Sequence, residues 1–154
     1  PINWLGQSTC LKALGKPMSQ YISPALRKQI AERAGFRCEY CLVPEQFLAT
    51  VFHVDHVRSL KHGGSTEFHN LAFACPHCNQ NKGSDVATFV DEESEETIRI
   101  YNPRKDTWQD HFVQDQGVIL AKTPIGKATI GLLEMNQPDR LIFRQALVEA
   151  GYYP

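Results

Sequence analysis

The sequence predicts a small α+β fold that is held together by a metal ion. Four of the five cysteines form two C-x-x-C pairs, Cys38 with Cys41 and Cys75 with Cys78. Two short runs typical of β-strands lie between the pairs, and a run typical of a helix starts inside the second pair. The flanking sequence predicts further helices and a C-terminal extension of a β-hairpin and helices.

Length and charge limit the kinds of protein that the chain can be. Its 154 residues suit one domain over 1–154, with a core at 23–90 and an extension at 91–154 packed on it. Neither a signal peptide nor an apolar run of about 20 residues is evident, so we expect a cytoplasmic protein with no membrane span. Residues 1–90 carry a net charge of +3 and residues 91–154 a net charge of −4. This excludes a polybasic binding protein but not an enzyme that acts on nucleic acid.

An acidic run at 91–96 contains five of the acidic residues of the C-terminal half. Such a run repels itself and is typical of a solvated loop. The functional alternative is a negatively charged gate beside a binding groove.

The first predicted element is a helix over residues 23–35. Ser23 suits the N-cap, Pro24 the first helical position and Gly35 the C-terminal stop. Apolar residues at 26, 30, 31 and 34 fall on one face of this helix. Basic residues at 27, 28, 33 and 37 form either a solvated face or contacts to phosphate.

The chain between the cysteine pairs predicts two strands. The first is expected at 50–57, followed by a glycine-containing loop and turn over 61–69, and the second at 70–74. Pro76 then opens a short helix that ends near Gly83. A unit this small needs a staple, which a metal ion would supply by joining its two ends.

The four paired cysteines predict a structural zinc site. Each pair supplies two sulfurs from one tight turn, and four thiolates can surround one zinc ion at about 2.3 Å. The odd cysteine count and the double pair argue against disulfides and against a thioredoxin-like redox motif. A closed site of four sulfurs leaves no position for a substrate, so this metal folds the protein. The fifth cysteine, Cys10, is predicted to be a bystander thiol.

Polar residues around the predicted strands indicate a hydrolytic site. Asp55 and Asn79 offer a carboxylate and an amide oxygen, which suit Mg²⁺. His56 offers an imidazole that can accept a proton from water at neutral pH, and an Asn such as Asn70 can orient it. Together these are the parts for one-metal hydrolysis of a phosphodiester. In a regular strand Asp55 and His56 point to opposite faces, so both can serve one site only if the strand twists or ends there.

The order and spacing of these motifs resemble those of the HNH endonucleases, a family of ββα-metal nucleases. The similar stretch runs from residue 34 to residue 83. It contains FHVDHV at 52–57, HGG at 62–64, NL at 70–71 and CPHCNQNKG at 75–83. A weaker resemblance to the C-terminal extension of a bacterial HNH subgroup continues to residue 129.

The resemblance implies a role for each matching residue. His56 matches the general base that activates water, Asp55 matches a metal ligand, and Asn70 matches the Asn that supports the geometry of the base. Asn79 stands where many members have a second His, which makes the chain an HNN variant with Asn79 as a metal ligand. Lys82 matches a position that faces phosphate.

The resemblance also implies a substrate and cofactors. Members with a structural four-cysteine zinc site cut DNA with Mg²⁺ or Mn²⁺ and leave 5′-phosphate and 3′-hydroxyl ends. The DNA is double- or single-stranded. One site cuts one strand, so double-strand cleavage calls for a homodimer or two successive nicks.

The extension predicts strands and helices that cover the zinc module. A strand is expected at 97–101, with 118–121 as its candidate partner after a turn at 116–117. Helices are expected to begin near 124 and 138. Three polar and aromatic residues form a cluster that either contacts nucleic acid or packs as structure: Arg104, Trp108 and His111.

Two other functions fit parts of the pattern. A non-catalytic zinc module would bind nucleic acid or a protein partner without cutting. A metallophosphodiesterase would act on small nucleotides instead of DNA. The combination of Asp55, His56, Asn70 and Asn79 disfavours the binding module, because binding alone does not need all four.

Overall fold

A computed structural model describes residues 21–90, 93 and 95–154. The helices in this part of the chain are α1 (Pro24–Arg33), α2 (Pro76–Lys82), α3 (Trp108–His111), α4 (Pro124–Leu132) and α5 (Pro138–Glu149). The strands are β1 (His53–His56), β2 (Leu71–Ala74), β3 (Ala87–Phe89), β4 (Thr97–Arg99), β5 (Phe112–Asp115) and β6 (Val118–Ala121). Short 3-10 helices lie at Glu45–Phe47, Leu60–His62 and Phe68–Asn70. The predicted α+β class is confirmed.

Two predictions from the sequence fall outside this description. Cys10 and half of the acidic run, positions 91, 92 and 94, are not among the described residues. Among the described helices the longest, α5, has 12 residues, against about 20 for a membrane span. None of these helices could therefore cross a bilayer.

Helix α1 forms as its end signals predict. The Ser23 hydroxyl accepts a hydrogen bond of 3.1 Å from the backbone N–H of Leu26, and Pro24 occupies the first helical position. Gly35 follows the helix at a φ of +58°, a left-handed conformation that favours glycine. The helix buries Ile30 and Ala31 in the core and leads into the first cysteine pair.

Strands β1 and β2 and helix α2 form the unit that carries the predicted site. The strands are antiparallel, with His53 opposite Ala74 and His56 opposite Leu71. Strand β1 is shorter than the predicted 50–57, since the Phe52 N–H donates to the Glu45 carboxylate at 3.1 Å and not to a neighbouring strand. All four residues of β2 are buried, so the hairpin is anchored from this strand.

The pairing predicted for the extension is wrong. Strand β6 pairs with β5 and not with residues 97–101, and β4 pairs with β3. Gln116 and Gly117 have φ values of +46° and +84°, the conformation of a tight two-residue hairpin turn. Such a turn joins the adjacent segments directly, whereas pairing with β4 would require a longer loop to close.

Several hydrogen bonds join the C-terminal residues to the zinc-bearing part. Trp108 Nε1 donates to the Tyr40 carbonyl at 2.9 Å, and the Tyr153 hydroxyl donates to the Cys41 carbonyl at 2.8 Å. His77 Nε2 hydrogen-bonds the carbonyl of Leu133 at 3.0 Å. The hydrophobic core contains residues from both parts of the chain.

Candidate active site and zinc centre

The four paired cysteines converge on one buried point. Their Sγ atoms all lie within 4.8 Å of one another, and those of Cys41 and Cys75 are 3.8 Å apart. A tetrahedral zinc ion with Zn–S bonds of about 2.3 Å has sulfurs about 3.8 Å apart, so the cluster fits zinc. Cys75 also caps α2, because its sulfur accepts the backbone N–H of Cys78 at 3.4 Å. The predicted four-cysteine cluster is confirmed.

Arg140 contacts the four-cysteine cluster, which sequence reasoning missed. Its Nη2 lies 3.7 Å from Cys41 Sγ and 3.6 Å from Cys75 Sγ, and the residue is buried. Four thiolates and one Zn²⁺ carry a net charge of about −2, which a neighbouring guanidinium partly offsets. Arg140, Arg144 and Leu147 are the buried residues of α5 and share one helical face. Two arginines on the core-facing side of a helix are the signal that could have revealed this role.

One small surface pocket brings together three of the predicted site residues. It has a volume of about 290 Å³ and is lined by Asp55, His56 and Asn79, together with Ser59. Strand β1 ends at His56, so consecutive residues both reach the pocket despite the alternation of a regular strand. The Ser59 hydroxyl is buried and makes no hydrogen bond with another described residue.

Asp55 is held from two sides inside this pocket. The Tyr40 hydroxyl donates to its Oδ2 at 2.6 Å, and Lys82 Nζ donates to its Oδ1 at 3.2 Å. Lys82 also donates to the backbone carbonyl of His56 at 3.0 Å. Tyr40 was not singled out in the sequence, since a tyrosine between two cysteines carries no sign of a partner 15 residues away.

The structure corrects the expected position of Lys82. Its side chain is 1% exposed and ion-pairs with Asp55, so it does not face phosphate at the surface. The cause is the last turn of α2, which directs Lys82 towards β1 where a buried carboxylate neutralises it. In this position Lys82 orients Asp55 and the strand end that carries His56.

His56 is half-buried and hydrogen-bonded at one ring nitrogen. Its Nε2 lies 3.0 Å from the Thr66 hydroxyl, and Nδ1 has no hydrogen bond to another described residue. Burial lowers the pKa of His56 below its ordinary value of 6.5, an effect opposed by the charge of Asp55 and reinforced by that of Lys82. The imidazole is therefore neutral at pH 7, the state in which it can accept a proton.

Asn70 stabilises the loop that follows His56 but does not contact the imidazole. Its Oδ1 accepts the Arg58 N–H at 3.0 Å, and its Nδ2 donates to the carbonyls of Arg58 and Ser65 at 2.9 and 2.8 Å. Gly64 completes this clamp, because a Cβ there would lie 1.7 Å from the Arg58 carbonyl oxygen. The predicted hydrogen bond from Asn70 to the imidazole is therefore not observed, and the Asn70 side chain instead fixes the backbone at Arg58 and Ser65.

The polar and aromatic cluster of the extension has structural contacts. Trp108 is buried with its indole N–H on Tyr40, and Arg104 forms an ion pair with Glu39. His111 Nδ1 hydrogen-bonds the Thr123 hydroxyl at 2.7 Å. Of the two alternatives for this cluster, packing accounts for these contacts.

Comparison with known proteins agrees with this geometry. The HNH endonuclease family model matches residues 38–85, which contain both cysteine pairs and all the predicted site residues. The Septu protein PtuB of Bacillus thuringiensis is 26% identical over 127 residues, covering 81% of this chain and 46% of that protein. The chain thus spans about half the length of this relative. No solved structure gives a significant match.

Proposed function

We propose that the chain is a metal-dependent endonuclease that hydrolyses DNA phosphodiester bonds, with His56 as the general base. One Mg²⁺ or Mn²⁺ would be held by Asp55 and Asn79. The observation that supports this proposal is the pocket that brings these three side chains together inside the HNH match. The match itself suggests a nuclease; the substrate, the metal and the residue roles are our proposal.

The pocket has suitable donors for a hard cation. Asp55 contributes a carboxylate, and each of its oxygens accepts one hydrogen bond and keeps a further lone pair. Asn79 contributes an amide oxygen, and the pocket is open to water, which Mg²⁺ retains as ligands. A bound divalent ion supplies Lewis-acid stabilisation of the charge that develops on the phosphate and the leaving oxygen.

The residues of the chain supply the proton transfer. Nδ1 of His56 accepts a proton from water while the water oxygen forms a bond to phosphorus. The bond from phosphorus to the 3′ oxygen breaks and the leaving oxygen takes a proton from solvent water, which gives a 5′-phosphate and a 3′-hydroxyl. In this mechanism His56 Nε2, 3.0 Å from the Thr66 hydroxyl, carries the proton and donates it to that oxygen, so that Nδ1 has the free lone pair. Lys82 holds the backbone carbonyl of the base itself, and Asn70 holds the backbone at Arg58, two residues further along the chain.

The proposal extends to the setting of the reaction. We propose that the chain acts as one domain in the cytoplasm, where zinc-bound thiolates stay reduced. One pocket cuts one strand. Cutting of both strands therefore calls for a second copy of the chain or a second nick.

His56→Ala is expected to slow cleavage of plasmid DNA by about 100-fold or more, the contribution typical of a general base. The measurement is conversion of supercoiled plasmid and of single-stranded DNA with Mg²⁺ or Mn²⁺, with the ends mapped. His53→Ala is the matched control, because His53 is exposed on the same strand and does not line the pocket. Equal cutting by wild type and His56→Ala would contradict the role of His56.

The same assay, with cyclic nucleotides added as substrates, separates the two rival functions. A non-catalytic zinc module would bind DNA or a protein partner but leave every substrate intact with either metal. A metallophosphodiesterase would hydrolyse cyclic nucleotides faster than DNA.

Thr66→Val is expected to slow cleavage about tenfold without loss of folding. The substitution keeps the shape of the side chain but removes the hydroxyl that lies 3.0 Å from His56 Nε2. Thr66→Ser keeps a hydroxyl and should restore most of the rate. The measurement is the pH profile of cleavage for the three proteins. A rate for Thr66→Val equal to that of wild type would exclude a positioning role for Thr66.

A further inference from the structure

A second concavity, separate from the catalytic pocket, lies between the HNH match and the extension. It has a volume of about 830 Å³ and no Asp or Glu among its lining residues. Its basic residues come from both sides: Arg58, His62 and His69 from the match, and Arg99, Arg104 and Lys105 from the extension. We call this concavity the basic groove.

The positive charge of the basic groove is only partly neutralised by the protein. Arg99 forms two hydrogen bonds of 2.6 and 2.9 Å with Asp106, and Arg104 pairs with Glu39. Arg58 and Lys105 are exposed, and neither forms an ion pair with another described residue. Two cations thus remain available to an anionic ligand.

Arg58 is fixed in place at the wall of the groove. Its backbone is clamped by Asn70, and its Nε donates to the His62 carbonyl at 2.6 Å. The Nη groups are therefore held near the groove and form no ion pair with a described carboxylate. A guanidinium positioned in this way loses little side-chain entropy when it binds a phosphate.

The basic groove adjoins the catalytic pocket along the chain. His56 lines the pocket, and the next two residues, Val57 and Arg58, line the groove. Consecutive residues of extended chain are only about 3.3 Å apart. The lining of the groove therefore begins one residue after the proposed base.

We propose that the basic groove binds a single-stranded segment of nucleic acid through its phosphates. This inference rests on the proposed function and adds a binding site outside the catalytic pocket. A volume of 830 Å³ exceeds the needs of one phosphate and falls in the range of sites that enclose whole organic ligands. The exposed rings of His62 and His69 offer stacking surfaces that an unpaired base can reach and a duplex cannot.

The test measures binding of labelled oligonucleotides by fluorescence anisotropy between 50 and 300 mM salt. The oligonucleotides are single-stranded DNA, single-stranded RNA and duplex DNA. All proteins carry His56→Ala and no Mg²⁺ is added, so that the oligonucleotides are not cut. No chelator is added, so that zinc is retained. Lys105→Gln and the double variant Arg58→Gln/Lys105→Gln remove the two available cations. Lys28→Gln/Lys127→Gln removes two exposed lysines that do not line the groove.

Each lost phosphate contact is expected to reduce the magnitude of the negative slope of log association constant against log salt concentration by about 0.7 for a single strand. The magnitude of the slope should therefore fall by about 1.4 in the double groove variant and by about half of that in Lys105→Gln. It should not change in the control pair. The loss should be the same for oligonucleotides of different sequence, because phosphates carry no base information.

Three results would overturn the proposal. The first is an unchanged slope in the double variant, or an equal loss in the control pair. The second is groove-dependent binding of duplex that is tighter than that of single strands. The third is full competition by ATP at its own saturating concentration, which would make the groove a mononucleotide site.

The outcomes also separate this inference from the proposed function. If wild-type protein cuts DNA while the groove variants bind normally, the groove proposal fails and the nuclease stands. If wild-type protein cuts nothing but binds strands through the groove, the nuclease proposal fails and the groove proposal stands.

Discussion

Loss of the zinc ion is expected to unfold residues 38–85 and to release α5 from them. The four cysteines are buried at the centre of the core, and structural zinc sites contribute on the order of 10 kcal/mol to folding. Without the metal, Arg140 loses the negative charge of the thiolates and stays buried without an ionic partner. The effect should therefore reach the C-terminal helix as well as the HNH match.

Cys75→Ser tests this expectation together with its matched control, Cys10→Ser. Cys75 is both a member of the four-cysteine cluster and the N-cap of α2, whereas Cys10 belongs to neither C-x-x-C pair. Wild type and Cys10→Ser should bind one zinc per chain, and Cys75→Ser should bind much less. Circular dichroism and limited proteolysis should show loss of structure in Cys75→Ser, with early cleavage near α5.

Treatment of the wild type with a zinc chelator should reproduce the same result. Readdition of zinc should reverse it. A zinc-free protein with native circular dichroism and native resistance to protease would contradict a folding role for the metal.

The parts of the fold that sequence could predict are those with local signals. The cysteine pairs, the capped helix α1 and the order of β1, β2 and α2 follow from spacing and end residues. The pairing of β3 with β4 did not follow, because three exposed or half-exposed residues per strand carry no strong periodic pattern. Tertiary packing determines whether such short segments form strands and which of them pair, and this packing cannot be seen in a single sequence.

The candidate site shows the same division between local and distant information. Asp55, His56 and Asn79 were found because their residue types and order carry chemical meaning, and the pocket contains all three. Thr66 and Arg140 were missed because each acts only through contacts with residues distant in sequence. Lys82 was identified, but as a residue that faces phosphate, because its actual partner is a carboxylate 27 residues away in the sequence.

Lys82→Met is expected to destabilise the folded protein by about 3–5 kcal/mol, the cost typical of breaking a buried ion pair at one partner. The side chains of Lys82 and Asp55 are 1% and 5% exposed, so water replaces only a small part of the lost interaction with the ammonium. Methionine fills a similar volume, which limits the loss of stability that an empty cavity would cause. The measurement is urea unfolding of the zinc-loaded protein.

The double variant Asp55→Asn/Lys82→Met separates the charge effect from packing. Removing both charges should destabilise the protein less than the sum of the two single variants, because no carboxylate stays buried without a cation. Additive losses would show that the ion pair contributes no coupling.

Mg²⁺ is expected to restore part of the stability that Lys82→Met loses, because a divalent ion at Asp55 supplies the missing positive charge. Ligand binding to the folded state stabilises it by about 1.4 kcal/mol at ten times its dissociation constant. The gain should be smaller in wild type, where Lys82 Nζ already lies 3.2 Å from the carboxylate. It should vanish in Asp55→Asn/Lys82→Met, and NaCl at equal ionic strength should not reproduce it. An equal gain in all three proteins would mean that Asp55 is not a ligand of the metal, whatever the cleavage assay shows.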